Sequence, residues 1–273
     1  MNRIWDFFSN KGSTAAYAVI TVIFTVIPEG VFKYGFIKCT WSDTAVIMVN
    51  RLILCAVVLV FANIIYQCYR KHRNVVTIKD KSFSISVEYG DLLQIGEGKK
   101  IINFDECFST NVGDKPEDIK PDSVCGQYLM KYPIEDIQQL INASGVKPSG
   151  KSLFNQKDSY TPGTIIPRGD FLLMSFAKLD KDGLGKMTYP QYLECLDKLW
   201  EQIDLYHGTD DVYLPILGSR ITRFDKDLTQ QEFMNVIIAS YRLSPKKMKK
   251  PNVLHIFCRR QDGFSLNDII GVD

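Results

Sequence analysis

The stretch Val212-Tyr213-Leu214-Pro215-Ile216-Leu217-Gly218-Ser219-Arg220-Ile221-Thr222-Arg223-Phe224 decides how the rest of the chain is read. Its first half, 212–217, has the branched apolar composition of a buried strand, and the run stops abruptly at Gly218 and Ser219. Glycine at such an exit permits a ligand to approach the backbone closely, and the amides of a turn like this can converge on an anion. The following stretch, 229–241, has the pattern of an amphipathic helix. One reading is therefore a phosphate-cradling loop between strand and helix, and the other is an ordinary strand exit that happens to contain glycine. The two residues Gly218 and Ser219 do not separate these readings, so the rest of the chain has to.

Outward from this stretch, strand and helix patterns alternate. Residues 82–87 and 100–104 read as strands, and 164–166 and 171–177 as a strand pair around the turn Pro167-Arg168-Gly169-Asp170. Residues 123–132 read as a helix start with Ser123 as N-cap, 133–141 as a short helix, and 145–163 as a loop. The strongest helical pattern is 190–206, with Leu193, Leu196, Leu199, Trp200 and Ile203 on one side and Thr188 near its start. Residues 253–258 form a last buried strand after the cationic loop Lys246, Lys247, Lys249 and Lys250. That alternation predicts an α/β sandwich.

The 273 residues are 45% hydrophobic with a net charge of +2, enough for a large core and uninformative about charged partners. The average conceals a division, because nearly all uninterrupted apolar sequence precedes Tyr66. One run covers about 15–37, interrupted by Pro28, Glu29, Gly30 and Lys33, and a cleaner one covers about 44–66. Each is long enough to cross a bilayer, and a second long run without a small-residue cleavage pattern argues against a secretory signal. Arg3 and Lys11 precede the first run, and Arg70, Lys71 and Arg73 follow the second, which places both ends in the cytoplasm of a multi-pass inner-membrane protein. Glu29 and Arg51 are the charges expected at membrane depth, where they either pair or line a water-filled path, and a hairpin this small forms a conduit only as an oligomer.

Seven cysteines, none in a CxxC pair, suggest neither a disulfide framework nor a zinc site and fit a reducing compartment. The segment from Asp180 to Gln191 copies the start of a calcium loop, with Asp180, Asp182 and Gly185 in it, but Leu184 and Gln191 stand where oxygen ligands are needed. No metal is expected, and the segment reads as a tight connection between a strand and the next helix. His72, His207 and His255 have no patterned nucleophile beside them, so no catalytic residues are assigned; His255 reads as a core histidine. The lysines at 246–250 lack interleaved aromatics, which gives no reason to expect nucleic acid.

Several motifs together resemble the macro domain, a three-layer α/β/α fold with a mixed central sheet. Gly90-Asp91 after a strand is similar to that family's Gly-Asp pair, Ile101-Ile102-Asn103 to its Ile-Val-Asn strand, Ser123-Val124-Cys125-Gly126-Gln127 to its first diphosphate loop, and Pro215-Ile216-Leu217-Gly218-Ser219 to its second. The resemblance implies a ligand of the ADP-ribose type, with Asp91 at the adenine, Asn103 at the distal ribose, and Ser123, Cys125, Gly126, Leu217, Gly218, Ser219, Arg220 and Ile221 around the diphosphate. Phe224 would pack on a ribose. Asn103-Phe104-Asp105-Glu106 replaces the usual Asn-Ala-Ala-Asn segment and the glycine triplet is absent, which weighs against hydrolase chemistry.

Macro-like domains fused behind two transmembrane helices occur in bacterial antiphage systems, and the chain is similar to the type II Thoeris effector. That resemblance implies a membrane hairpin over 1–74 and a cytoplasmic macro-like domain over 75–273. It further implies a signal made by a TIR-domain partner, with histidine-ADP-ribose as the suspected molecule, no other cofactor, and membrane lipid as a target. A homo-oligomer, a tetramer or larger, is expected to disrupt the membrane. The alternatives are a membrane-tethered ADP-ribosylhydrolase and a ligand-free membrane-anchored interaction domain.

Overall fold

The computed structural model describes residues 8, 10–37, 42–219 and 222–270. Arg220 and Ile221, two of the expected ligand contacts, and Cys39 lie outside the described residues. The chain divides into two compact units, Met1–Arg73 and Asn74–Asp273.

In the first unit, helix α1 is Lys11–Val26, capped by Asn10, whose carboxamide accepts from the Ser13 amide at 2.9 Å. The expected span 15–37 is not one helix. α1 stops before Ile27 because proline at 28 drives its predecessor out of the helical region, and a 3₁₀ turn, Glu29–Tyr34, follows. Its 16 residues cover about 24 Å at ~1.5 Å each, short of a hydrocarbon core of roughly 30 Å. Helix α2, Asp43–Lys71, extends past the expected 44–66 in both directions, and its 29 residues are long and apolar enough to cross a membrane.

α1 and the turn meet α2 through polar groups. The Asn63 carboxamide donates to Ser13 Oγ at 2.9 Å and accepts from Asn10 at 2.7 Å. Asn50, 1% exposed, donates to the Phe32 carbonyl at 2.9 Å and accepts from the Ile37 amide at 2.8 Å, tying down the segment that Pro28 frees from the helix. Arg51 pairs with Glu29 at 2.8 Å and lies against the rings of Phe24 and Phe32, 5.1 and 5.0 Å from their centroids; the two rings pack edge-on against each other.

The second unit opens with β1 (Val75–Lys79) and β2 (Ser84–Tyr89), followed by β3 (Lys99–Asp105), helix α3 (Val124–Lys131) and helix α4 (Ile137–Ser144). α4 begins later than the expected 133–141, where Asp136 accepts from the Gln139 amide. The expected loop 145–163 contains a small hairpin, β4 (Gly150–Lys151) with β5 (Asp158–Ser159). Then come β6 (Ile165–Arg168), β7 (Phe171–Leu179), β8 (Gly185–Met187), α5 (Tyr189–Tyr206), β9 (Val212–Pro215), β10 (Arg223–Phe224), α6 (Gln230–Leu243) and β11 (Leu254–Cys258). Both α5 and α6 start in capping boxes, Thr188 with Gln191 and Thr229 with Glu232, each satisfying two amides that the helix cannot.

Among the described residues the main sheet runs β1-β2-β11-β9-β3-β7-β8-β10, with β6 also on β7. Strands β2, β11, β9, β3 and β7 are parallel, and the antiparallel pairs lie towards the edges. On one face Ile85, Ile101, Leu214 and Ile256 bury against Leu196, Trp200, Ile237 and Tyr241 of α5 and α6; Trp200 Nε1 donates to Ser240 Oγ at 2.8 Å across the two helices. On the other, Ile102, Phe104 and Leu173 bury against Tyr128, Leu129 and Ile141 of α3 and α4. Alternate strand residues thus feed two cores, giving three layers.

The calcium-like segment is a hairpin turn between β7 and β8, not a direct strand-to-helix connection. One Asp180 oxygen accepts from the amides of Asp182 and Leu184, both at 2.9 Å, and the other pairs with Lys186 Nζ at 2.6 Å. The Lys186 ammonium and these amides hold the Asp180 carboxyl below its ordinary range. What that carboxylate gives to the turn is therefore complete above about pH 4 and fades as acid titrates it through its lowered value. Millimolar Ca²⁺ is expected to leave the thermal unfolding midpoint unchanged; a rise of several degrees would show a cation site instead.

Candidate functional site

The sheet is held together unevenly. β3 pairs with β7 from Lys100 to Asp105, and β11 pairs with β9 along all of Val212 to Pro215. β3 and β9 pair only through Lys99 with Val212 and Lys100 with Tyr213, at their starts. Beyond that point the two strands part. From β3 the chain passes by way of β6 to its neighbour β7, and from β9 it passes by way of the short edge strand β10 to β11 on the opposite side. The next core strands after β3 and β9 therefore lie on opposite sides of the parting. A crevice outside the carboxyl ends of parallel strands at such a point is where open α/β sheets take ligands.

A cavity of about 410 Å³ occupies this crevice. Asn103, Phe104 and Asp105 from β3 form one wall, and Pro215, Ile216, Gly218 and Ser219 beyond β9 form the facing wall. Ser123, Val124 and Cys125 at the start of α3 close one side. Phe257, Cys258, Arg259, Arg260 and Gln261 at the end of β11 also line it. The volume falls in the range of sites that enclose small organic ligands.

The two turns expected from the sequence do face one cavity, and each is fixed by its own chemistry. Ser123 Oγ accepts from the Gly126 amide at 2.9 Å and donates to the Lys120 carbonyl at 2.7 Å, so the hydroxyl is an N-cap occupied on both sides. That leaves the amides of Val124 and Cys125 as first-turn donors that the helix cannot satisfy, at its positive end. Gly126 does not line the cavity; a Cβ there would strike the Lys120 carbonyl and come within 3.0 Å of Pro121 Cα, so glycine lets the preceding loop pack directly on the helix. In the second turn β9 ends at Pro215, two residues before the expected strand end, because proline offers no amide to extend the ladder. Gly218 takes φ +84°, open to glycine and strained for other residues.

Leu217 is buried beneath the turn, where its carbonyl accepts from Tyr192 Oη at 3.1 Å. Phe224 departs from its expected role. It packs on Tyr192 and Phe233, with ring centroids 5.5 and 4.8 Å away, and is not among the cavity-lining residues. This aromatic trio supports Gly218 from below. Asp91 also stands apart from the cavity lining: its carboxylate caps a short 3₁₀ turn by accepting from the Leu93 amide at 3.0 Å and from Gln94 Nε2 at 3.3 Å. Asn103 is the contrast, since its carboxamide makes no side-chain hydrogen bond among the described residues while lining the cavity.

Burial, reinforced by the Asp105 carboxylate, pushes the Cys125 thiol well above its ordinary range, so it is held protonated and is a poor nucleophile. One oxygen of Asp105, Oδ1, holds the turn after β3 by accepting from the amides of Cys107 and Ser109, both at 2.9 Å. Of the cations at the wall, Lys120 donates to the carbonyls of Asp114 and Lys115, and Arg260 to Asn74 Oδ1. The Arg259 side chain has no ion pair among the described residues. His255 is not a simple core histidine: it stacks on Tyr213 at 4.5 Å, and Nδ1 lies 2.8 Å from Glu88. The β11 end, including Arg259 and Arg260, and the loop 116–120 are among the parts of the wall that the sequence did not indicate. A pair of arginines closing a predicted buried strand was the only signal available for the β11 end.

A three-layer mixed sheet with a crevice between two amide-bearing turns defines a macro domain. The family model for the macro domain of Thoeris protein ThsA matches residues 85–259. The chain is also similar to Thoeris protein ThsA of Bacillus amyloliquefaciens (strain Y2), with 27% identity over 207 residues, covering 71% of this chain and 68% of that protein. The chain belongs to the ThsA macro-domain family, and is a Thoeris protein of antiviral defence.

Proposed function

We propose that the macro domain is a receptor for an ADP-ribose derivative made by a TIR-domain partner during infection, histidine-ADP-ribose being the suspected molecule. The observation that carries this reading is the parting of β3 from β9, which leaves a cavity flanked by the first amides of α3 and by the Gly218 turn. In this reading the diphosphate lies between residues 123–126 and 217–221, Asn103 meets the distal ribose, and Asp91, which stands outside the cavity lining, accepts from an adenine that extends beyond the cavity. Phe224 acts from beneath the Gly218 turn. Binding then promotes assembly of the inner-membrane protein, both ends cytoplasmic, into a homo-oligomer, and α2 with the Glu29–Arg51 region disrupts the membrane. The protonated Cys125 is a poor nucleophile, which favours binding over turnover.

Titration calorimetry on the full-length protein in detergent tests the receptor reading. ADP-ribose and its histidine conjugate are expected to bind, the conjugate more tightly, and to be recovered chemically unchanged. Asn103→Ala is expected to weaken binding about tenfold, roughly 1.4 kcal/mol. No heat of binding from either nucleotide would overturn the reading, and release of free ADP-ribose from the conjugate would establish a hydrolase instead.

A further inference from the structure

Arg260 lines the cavity and yet holds a residue that borders the membrane unit. Its guanidinium donates to Asn74 Oδ1 and lies 4.4 Å from the centre of the Tyr89 ring. Asn74 is bound a second time, since its carbonyl accepts from the Tyr89 amide at 3.1 Å. Tyr89 is braced edge-on by Phe264 at 6.0 Å, and the next residue, Gly90, donates its amide to the Cys258 carbonyl at 3.2 Å. The rim formed by the ends of β2 and β11 therefore clasps Asn74 through both its side chain and its backbone. Asn74 follows the end of α2 at Lys71 with only His72 and Arg73 between.

A neutral carboxamide and an aromatic face are modest partners for a guanidinium. A phosphate or carboxylate offers a two-pronged contact of opposite charge, which a carboxamide oxygen does not. We propose that Arg260 is the residue that reports ligand to the membrane helix: its guanidinium exchanges Asn74 for an anionic group of the bound ligand, and that exchange releases the chain that continues from α2. This rests on the receptor reading above and adds to it the contact whose exchange distinguishes the two states. A ligand shifts an equilibrium only by such differential contacts, and the coupling is reciprocal. A change at Asn74 that weakens this grip and leaves Arg260 in place must therefore strengthen ligand binding.

Full-length protein in detergent and ADP-ribose as the probe give the test, a double-mutant cycle on affinity. Asn74→Ala is expected to tighten ADP-ribose binding about fivefold. Arg260→Ala is expected to weaken it about tenfold or more, and Asn74→Ala added to Arg260→Ala to change nothing further. Unfolding midpoints identify any variant that has merely lost structure. In the wild-type protein, ADP-ribose should speed hydrogen exchange at the Tyr89 amide, which the Asn74 carbonyl otherwise protects. Wild-type binding with additive variants, or with exchange at Tyr89 unchanged, overturns this inference alone. Failure of the wild-type protein to bind ADP-ribose or its histidine conjugate overturns the receptor reading and this inference with it.

Discussion

Gly218→Glu is expected to abolish ADP-ribose binding, with at least a hundredfold loss of affinity, and to lower the unfolding midpoint by several degrees. Two costs combine at this position. The backbone sits at φ +84°, where an L-residue is strained by about 1–2 kcal/mol. A Cβ would also lie 2.8 Å from Phe224 Cζ and 3.1 Å from Phe233 Cε1. Those rings cannot yield freely, because Tyr192 packs edge-on against both and anchors the Leu217 carbonyl. The turn must then leave its conformation, and the glutamate adds a negative charge where an anion is meant to lie. Gly169→Ala supplies the control. It has φ +60° in the β6–β7 turn with nothing within 4 Å of a Cβ, so it carries the backbone strain alone and should bind ADP-ribose as the wild-type protein does. Wild-type affinity in Gly218→Glu would remove the Gly218 turn from the site.

The second large effect is expected from Gly126→Ala, a change of one methyl group outside the cavity. The added Cβ collides with backbone, the Lys120 carbonyl and Pro121, which cannot rotate aside as a side chain could. Overpacking of this kind costs on the order of 1–3 kcal/mol. It also acts on the site, because Lys120 and Ser123 both line the cavity and the Lys120 carbonyl is the acceptor that fixes the Ser123 hydroxyl. Pushing the loop off α3 separates the N-cap from the amides it positions. The expected result is a lower unfolding midpoint together with about a tenfold loss of ADP-ribose affinity. A drop in stability with unchanged affinity would show that the start of α3 supports the fold and not the ligand.

Much of the second unit was legible in the sequence for local reasons. α5 and α6 announce themselves by apolar spacing and by caps three residues from their partners, Thr188 with Gln191 and Thr229 with Glu232. β7 and β11 are apolar runs bounded by turns, and the turn 167–170 separates β6 from β7 as its Pro-Arg-Gly-Asp composition implies. The misreadings also have local causes. Proline cut both β9 and α1 short at their carboxyl ends, in each case by removing or displacing what the next backbone bond requires. Phe224 was placed by analogy of position, but an aromatic side chain goes wherever a cavity of matching shape is buried, and Tyr192 and Phe233 provide one.

The sequence by itself determined most of the longer elements, the apolar helix read over 44–66, and the glycine-containing turns at 126 and 218. These follow from periodicity, capping and sterics within a few residues. Only the tertiary structure decided that β3 and β9 pair at their starts and part at their ends, and that Arg260 closes over the chain at Asn74. Strand pairing joins residues far apart in the chain, and its register is set by which faces the two cores bury. The turn at Gly218 and Ser219 therefore faces a second wall from β3 and a third from the end of β11, through contacts that no local stretch of sequence contains.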